Sequence, residues 1–189
     1  MKQYLYILGF AFLLSGIYTS CKPDTLTTLH ENEVAARDKY VKDNNLVDAK
    51  DVSGIYFKLT ERSADTTWIR SRFKVMLEYK ITLIDGTTIP VLTTDDGLGH
   101  NYEPFGFYVD VSNTVLSSIY VQQIAGLHTG LKKMHVGDRA FMVIPSELAF
   151  KAVDTNTGYS VIPRFSTLLA TVYIKKAYTP AQQLEEQQQ

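Results

Sequence analysis

The segment at residues 130–150, GLKKMHVGDRAFMVIPSELAF, constrains the possible folds more than any other part of the chain. It joins the end of a helical pattern to the turn-forming pair Gly137-Asp138, and then to an apolar strand at 139–144 that Pro145 stops. The helical pattern consists of apolar residues three or four positions apart: Ile124, Leu127, Leu131 and Met134. The segment therefore predicts a short helix, a tight turn and a strand in immediate succession.

The remaining regular structure of the domain is predicted to be mostly strand. Segments with the alternating or β-branched composition of strands lie at 54–59, 73–84, 105–111 and 167–177. Asp85-Gly86 is a hairpin turn that leads into a return strand at 87–91, and Pro90 restricts that strand to a sheet edge. These elements indicate an α+β domain in which one helix covers one face of a mostly antiparallel sheet.

The N-terminus has the pattern of a secretory signal peptide. A lysine precedes an apolar core at residues 4–14, and serine and threonine residues follow that core. The core is shorter than the roughly 20 apolar residues that a transmembrane helix needs. A signal peptide is therefore favoured over a retained membrane anchor.

Cys21 is the only cysteine in the sequence, so it has no partner for an intramolecular disulfide. Its position after the apolar segment resembles that of the acylated cysteine in bacterial lipoprotein signals, with Tyr18 where those signals usually have leucine. We therefore predict lipidation at Cys21 and a lipid-anchored protein of the cell envelope, on the outer membrane facing the periplasm. A buried free thiol is the alternative.

Composition divides the chain into five parts. Thr28 and Glu31 form a T-x-x-E capping box that predicts a helix through about Asn44, and its thin apolar stripe is typical of a helix at the edge of a domain. The C-terminal tail is rich in Gln and Glu and is predicted to be disordered. The predicted parts are a lipoprotein signal peptide at 1–20, a tether at 21–28, a helical extension at 29–50, the main domain at 51–178 and the tail at 179–189.

Charge and side-chain chemistry argue against several classes of function. The formal net charge of -1, without a Lys/Arg cluster, argues against a nucleic-acid partner. The four histidines lack the spacing of metal ligands and are predicted to be surface residues: His30, His100, His128 and His135. Neither a nucleophile elbow nor a phosphate-binding glycine loop is present in the sequence. The prediction is a protein without a metal site or a cofactor.

Three motifs occur in the order in which one protein family has them. They are VMLEYKITLIDGTTI at 75–89, QIAGLHTGLKKMHVGDRAFMVIPSELAF at 123–150 and VIPRFSTLLATVYI at 161–174. With these motifs the chain resembles the FKBP-type peptidyl-prolyl cis-trans isomerases, and its N-terminus resembles secreted lipoproteins of that family from Gram-negative bacteria. The resemblance implies an FKBP-like α+β fold, a half-open antiparallel β-sheet wrapped over one short helix, with an N-terminal helical extension.

The resemblance also implies a substrate pocket. The members that match the family are Tyr79, Phe105, Ile124 and Ile162. The members that differ are Leu127 in place of tryptophan, Phe150 in place of tyrosine, Ala170 in place of phenylalanine, and Ile89-Pro90 in place of phenylalanine-aspartate. Phe107, on the same predicted strand as Phe105, completes the pocket. In the family, the backbone N–H at the position of Ile124 holds the carbonyl of the substrate.

By this resemblance, an apolar pocket alone lowers the barrier to rotation of the prolyl amide, because it binds the twisted amide better than the planar one. The lost ring surface and rim hydroxyl predict a domain that binds prolyl peptide segments of exported proteins, with isomerase activity weak or absent. The alternative is a non-catalytic FKBP-like scaffold or protein-interaction module. An open pocket around Leu127, Phe150 and Ala170 favours the enzyme, and a filled one favours the scaffold.

Overall fold

The computed structural model describes residues 25–94, 105–112, 119–186 and 188. The predicted signal peptide and Cys21 lie outside these residues. The helices are α1 (Leu26–Asp43), α2 (Ala125–Leu131) and α3 (Pro180–Glu186). The strands are β1 (Tyr56–Glu61), β2 (Lys74–Leu83), β3 (Thr88–Thr93), β4 (Phe105–Tyr108), β5 (Arg139–Ile144), β6 (Thr155–Asn156), β7 (Val161–Ile162) and β8 (Leu168–Tyr178). Short 3₁₀ helices occupy Val47–Ala49, Tyr120–Gln123 and Ser146–Leu148.

The main sheet has the strand order β1-β5-β8-β2-β3, and its described strand pairs are antiparallel. β2 pairs with β8 along its whole length, from Lys74 opposite Tyr178 to Leu83 opposite Leu168. β4 pairs with the start of β2, while β3 pairs with its end. β3 is therefore an edge strand, as Pro90 predicted. The predicted α+β architecture is confirmed.

Helix α2 lies against one face of this sheet, and the main core forms between them. The predicted apolar face of the helix is fully buried, with 0% exposure at Ile124, Leu127, Leu131 and Met134. Two glycines allow the helix to approach β5 closely. A Cβ atom on Gly126 would lie 2.4 Å from Ile144 Cγ2, and a Cβ atom on Gly130 would lie 2.3 Å from Met142 Sδ. The helix is thus held against the strand that follows it in sequence.

The turn between α2 and β5 is fixed by a buried carboxylate. Gly137 has φ +83, and a Cβ atom there would lie 2.4 Å from Ser63 Oγ, so this position requires glycine. Asp138 is 0% exposed and accepts hydrogen bonds from Ser63 N at 2.8 Å, His135 N at 2.7 Å and Arg62 Nη1 at 2.9 Å. The Gly-Asp pair therefore joins the turn to the segment that follows β1.

Helix α1 covers the opposite face of the sheet through a second, smaller core. That core consists of Val41, Leu46, Tyr56, Val143 and Leu169. The helix begins earlier than predicted, because Thr25 caps it by accepting a hydrogen bond from Thr28 N at 3.2 Å. The predicted capping box at Thr28 and Glu31 is wrong for this reason. Along α1, Glu33 and Val41 are the buried residues.

Two segments that were predicted to be irregular contain a β-hairpin and a helix. The long loop after β5 carries the β6–β7 hairpin, in which Thr155 pairs with Ile162. Helix α3 forms where the tail was predicted to be disordered, and it docks through Gln183 Nε2, which donates to Arg72 O at 3.0 Å and to Tyr178 O at 3.1 Å. Polar composition alone did not reveal these tertiary contacts. Among the helices of the described residues, none has the length and apolarity needed to span a bilayer.

Candidate functional site

The predicted pocket residues converge on one apolar cluster. The members that lie in the main core are Tyr79, Ile89, Phe107, Ile124, Leu127, Ile162 and Ala170. Phe150 is partly buried and packs against that core. Phe105 begins β4 with its backbone opposite Leu77, and its side chain lies outside the described part of the structure. Residues from distant parts of the sequence thus meet between α2 and the sheet.

The strands place Tyr79 and Ala170 on the floor of this cluster. Ala170 lies on β8 opposite Ile81 of β2 and opposite Met142 of β5, and it is 0% exposed. This is the position at which the resemblance predicts a phenylalanine ring. The backbone of Tyr79 is clamped by Thr94, whose Oγ1 accepts from Tyr79 N at 2.7 Å and whose N donates to Tyr79 O at 2.8 Å. Tyr79 and Ala170 are therefore held in place by backbone hydrogen bonds between neighbouring strands.

Tyr79 is an apolar wall rather than a charged group. Its exposure is 7%, and burial raises the pKa of its hydroxyl to about 12. The phenol therefore stays protonated across the physiological pH range. The side chain therefore contributes ring surface and no charge to the core.

Ile124 lies at the N-terminal boundary of α2, where the chain leaves the 3₁₀ helix Tyr120–Gln123. Its backbone carbonyl accepts from Leu127 N at 3.0 Å and thereby begins the helix. Its backbone N–H, the group that the resemblance assigns to the substrate carbonyl, donates to Val121 O at 3.3 Å. A substrate carbonyl would have to compete with this long internal hydrogen bond.

Leu127 is the residue that the resemblance assigns to the family's floor tryptophan. It points from α2 into the core together with Ile124 and Leu131, and it is 0% exposed. Because protein interiors are close-packed, the neighbours of a fully buried leucine have no room for an indole without moving. Leu127 is therefore a core residue in this chain.

The rim of the cluster is a loop that begins where Pro145 ends β5. The loop turns through Ser146–Leu148, and Lys151 N donates back to Ser146 O at 2.8 Å, so that Phe150 is held against the core. Phe165 N donates to Lys151 O at 2.8 Å. This bond joins the Phe150 loop to the segment that carries Ile162. The two rim segments therefore form one hydrogen-bonded unit.

Three cavities among the described residues lie at the edges of this cluster. The first, about 400 Å³, is beside the start of α2 and is lined by residues that include Gln122, Ala125 and His128. A cavity of about 310 Å³ lies between α1 and the segment at 163–167. The third, about 130 Å³, lies over β2 and β8, and Tyr79 lines it together with Tyr173. Ile124, Leu127 and Phe150 line none of these three cavities.

His128 connects the first cavity to the core, although the sequence predicted a surface residue. Its Nδ1 accepts from Asp110 N at 2.9 Å, and its Nε2 lies 2.8 Å from Gln122 O, so the ring is a neutral imidazole with one acceptor and one donor. Burial lowers the pKa of His128, against the opposing effect of the Gln122 bond. The ring lies 4.6 Å from that of Phe107. His128 therefore fastens the end of β4 to α2.

Comparisons with known proteins agree with this arrangement. The family profile described as "FKBP-type peptidyl-prolyl cis-trans isomerase" matches residues 65–175. The crystal structure of FkpA from Escherichia coli is similar, with a TM-score of 0.61 and 21% identity, over 94% of this chain and 71% of that chain. The structure of the three FKBP domains of wheat FKBP73 has a TM-score of 0.53 and 16% identity, over 68% of this chain and 46% of that chain. A sequence comparison with curated proteins finds no match. The predicted FKBP-like fold is confirmed.

Proposed function

Because this chain belongs to the FKBP-type peptidyl-prolyl cis-trans isomerase family, we propose that its domain binds prolyl peptide segments and that its isomerase activity is weak or absent. The observation that carries the proposal is the convergence of the predicted pocket residues on one apolar cluster whose aromatic content is reduced. The residues that match the family are those that would contact a prolyl ring: Tyr79, Phe105, Ile124 and Ile162. The rings that would enclose it are missing at positions 127 and 170.

The rate of isomerisation depends on how tightly the pocket binds the twisted amide. Rotation about a prolyl amide has a barrier of about 18–20 kcal/mol, and a pocket accelerates it by binding the twisted state better than either planar state. A leucine and an alanine in place of two aromatic rings remove on the order of 100 Å² of contact surface, which corresponds to a few kcal/mol at about 25 cal/mol per Å². A contact loss of this size reduces the rate by orders of magnitude.

Two further features support weak turnover. The N–H of Ile124 already donates to Val121 O at 3.3 Å, so binding a substrate carbonyl there breaks an existing hydrogen bond. Phe150 lacks the hydroxyl that a tyrosine would present at the rim. Each feature weakens or removes a hydrogen bond that would orient a bound prolyl peptide. The apolar surface that would bind the peptide remains.

A scaffold without catalysis is the second candidate function, and one observation favours it. Leu127 and Ala170 are both 0% exposed, which is the burial expected of ordinary core side chains. A filled cluster contributes to the stability of the fold and leaves binding to the outer surfaces. The two candidates differ in one measurable property, which is affinity for a prolyl peptide at the cluster.

A protease-free prolyl isomerisation assay, combined with peptide titration, tests the proposal on the chain from residue 22 onward. We expect saturable binding of a short prolyl peptide, with an isomerisation rate close to the uncatalysed one. Tyr79→Ala should abolish the binding, whereas Tyr159→Ala, at a side chain that is 83% exposed on the β6–β7 hairpin, serves as the matched control. Binding that is absent or indifferent to Tyr79 would contradict the proposal and favour the scaffold.

For the location of the protein, we propose a lipid anchor at Cys21 that holds the domain in the cell envelope, on the outer membrane facing the periplasm, where its partners would be exported proteins. The support is the sequence pattern of the N-terminus. Cys21→Ala should move the protein from the membrane fraction to the soluble periplasmic fraction. Unchanged fractionation of this variant with membranes would show that another feature holds the protein there.

A further inference from the structure

Helix α1 buries a carboxylate in the domain. The side chain of Glu33 is 4% exposed, and it accepts hydrogen bonds from Arg37 Nη1 at 3.0 and 3.2 Å. It also accepts a short hydrogen bond from Thr167 Oγ1, and Ser146 N lies 3.5 Å from Glu33 Oε1. Burying a charged group has a large desolvation cost unless partners compensate it. An apolar side chain at this position would cover the sheet without that cost, so the carboxylate has a more specific role.

The partners of Glu33 lie at the starts of two segments that lead to the candidate site. Ser146 begins the turn that carries Phe150, and Thr167 directly precedes β8, which carries Ala170. The hydrogen bond from Phe165 N to Lys151 O joins these two segments at 2.8 Å. A single carboxylate of α1 therefore contacts both rim segments at the points where they leave the sheet.

Neighbouring residues on the same face of α1 reinforce this contact. Arg37 Nη1 lies 3.6 Å from Glu147 Oε2, and His30 Nε2 lies 3.4 Å from Glu147 Oε1. The His30 ring lies 5.1 Å from the ring of Phe165. His30, Glu33 and Glu147 together have the donor atoms of a cation site, but Arg37 already supplies the positive charge between the two carboxylates. The cluster is therefore an ion-pair network that fastens α1 to the rim.

We propose that Glu33 is a positioning residue: through Ser146 and Thr167 it fixes the two rim segments, 146–151 and 162–167, so that the peptide site depends on the N-terminal helix. This inference rests on the proposed function for the identity of the ligand. The geometric part of it, the ordering of the rim by Glu33, does not require that function. A prolyl chain bound at the cluster passes over a rim whose shape α1 determines.

Hydrogen–deuterium exchange of the chain from residue 22 onward tests the positioning, with the tripeptide Ala-Ala-Pro flanked by blocking groups as the binding probe. In Glu33→Ala we expect backbone exchange over 146–151 and 163–168 to be about tenfold faster or more, because a charged hydrogen-bond acceptor is lost. Amides in the β1–β5 ladder should be unchanged. Glu33→Gln keeps an acceptor oxygen and should restore most of the protection, and Thr167→Val should reproduce the local effect if Glu33→Ala does not fold.

Two control variants separate positioning from a general loss of stability. Val41→Ala weakens the contact between α1 and the sheet without touching the network. It should lower the melting temperature without an increase in exchange confined to the rim, and it should leave probe affinity unchanged. Glu31→Ala changes an exposed carboxylate on the same helix and should have no effect. Probe affinity should fall about tenfold in Glu33→Ala and recover in Glu33→Gln.

The outcomes are distinguishable. Faster exchange confined to the rim, together with weaker probe binding, supports the inference. Exchange that rises uniformly, as it would in a merely destabilised protein, or that does not change at all, overturns it. If the unsubstituted protein does not bind the probe, the proposed function fails, and the exchange pattern alone then decides whether Glu33 orders the rim.

Discussion

Introducing the tryptophan and tyrosine that the family resemblance predicts at positions 127 and 150 tests whether neighbouring side chains already fill the apolar cluster. The double variant Leu127→Trp with Phe150→Tyr adds an indole to a position that is 0% exposed and a hydroxyl to the rim. Overpacking of a close-packed core costs about 1–3 kcal/mol. For a chain of this size each kcal/mol lowers the melting temperature by about 2–4 °C, so we expect a decrease of about 2–12 °C.

The assay is a thermal melt followed by circular dichroism, together with the isomerisation rate at a temperature at which both proteins are folded. Leu127→Met is the matched control, since a volume-conserving change costs less than about 1.5 kcal/mol. Phe150→Tyr alone isolates the effect of the hydroxyl. We expect the double variant to be destabilised without a gain in rate.

The opposite result would refute this reasoning. If the space beside Leu127 is open, the indole fills it and returns a few kcal/mol of contact to the transition state, which corresponds to roughly a hundredfold in rate. The double variant would then melt at the same temperature or higher and would isomerise prolyl peptides faster. This result would show that the pocket is open and lacks only aromatic side chains.

Three further results are expected. Gly126→Ala should lower the free energy of unfolding by about 1–3 kcal/mol in chemical denaturation, because its Cβ would lie 2.4 Å from Cγ2 of the β-branched Ile144; an unchanged midpoint would mean that α2 shifts freely over β5. Because the pKa of Tyr79 is raised to about 12, the unfolded chain loses the phenol proton at a lower pH than the folded protein, so the free energy of unfolding should fall as the pH rises from about 10 to about 12. Tyr79→Phe should make this decrease with pH smaller. A chain that starts at residue 50 should still unfold cooperatively, because the main core does not include α1, but at a lower temperature than the longer chain; a non-cooperative melt would show that the smaller core is essential.

The sequence predicted those elements whose limits are set by local chemistry. The strand Arg139–Ile144 was predicted with its observed bounds, because Gly137 is required by the turn before it and Pro145 ends it. The buried face of α2 followed from helical spacing, since each of its apolar positions points toward the sheet. Such signals lie within a few residues of the structure that they determine.

The features that sequence reasoning missed depend on contacts between distant segments. Nothing near Glu33 distinguishes it from the exposed Glu31, because its burial is decided by Ser146 and Thr167 more than a hundred residues away. Helix α3 is stabilised by the bonds of Gln183 to other segments, and not by its own apolar residues. Polar side chains that become buried through tertiary contacts have no periodic signal in the sequence.

We propose that this FKBP-type domain binds prolyl peptides and has weak or absent isomerase activity. Two-dimensional NMR exchange spectroscopy on a short prolyl peptide measures both properties in one sample, since binding shifts the peptide resonances and catalysis produces exchange peaks between the cis and trans forms. With the chain from residue 22 onward, we predict concentration-dependent shifts without exchange peaks on the seconds timescale. Strong exchange peaks would contradict the loss of catalysis, and unshifted resonances at millimolar protein would contradict the binding.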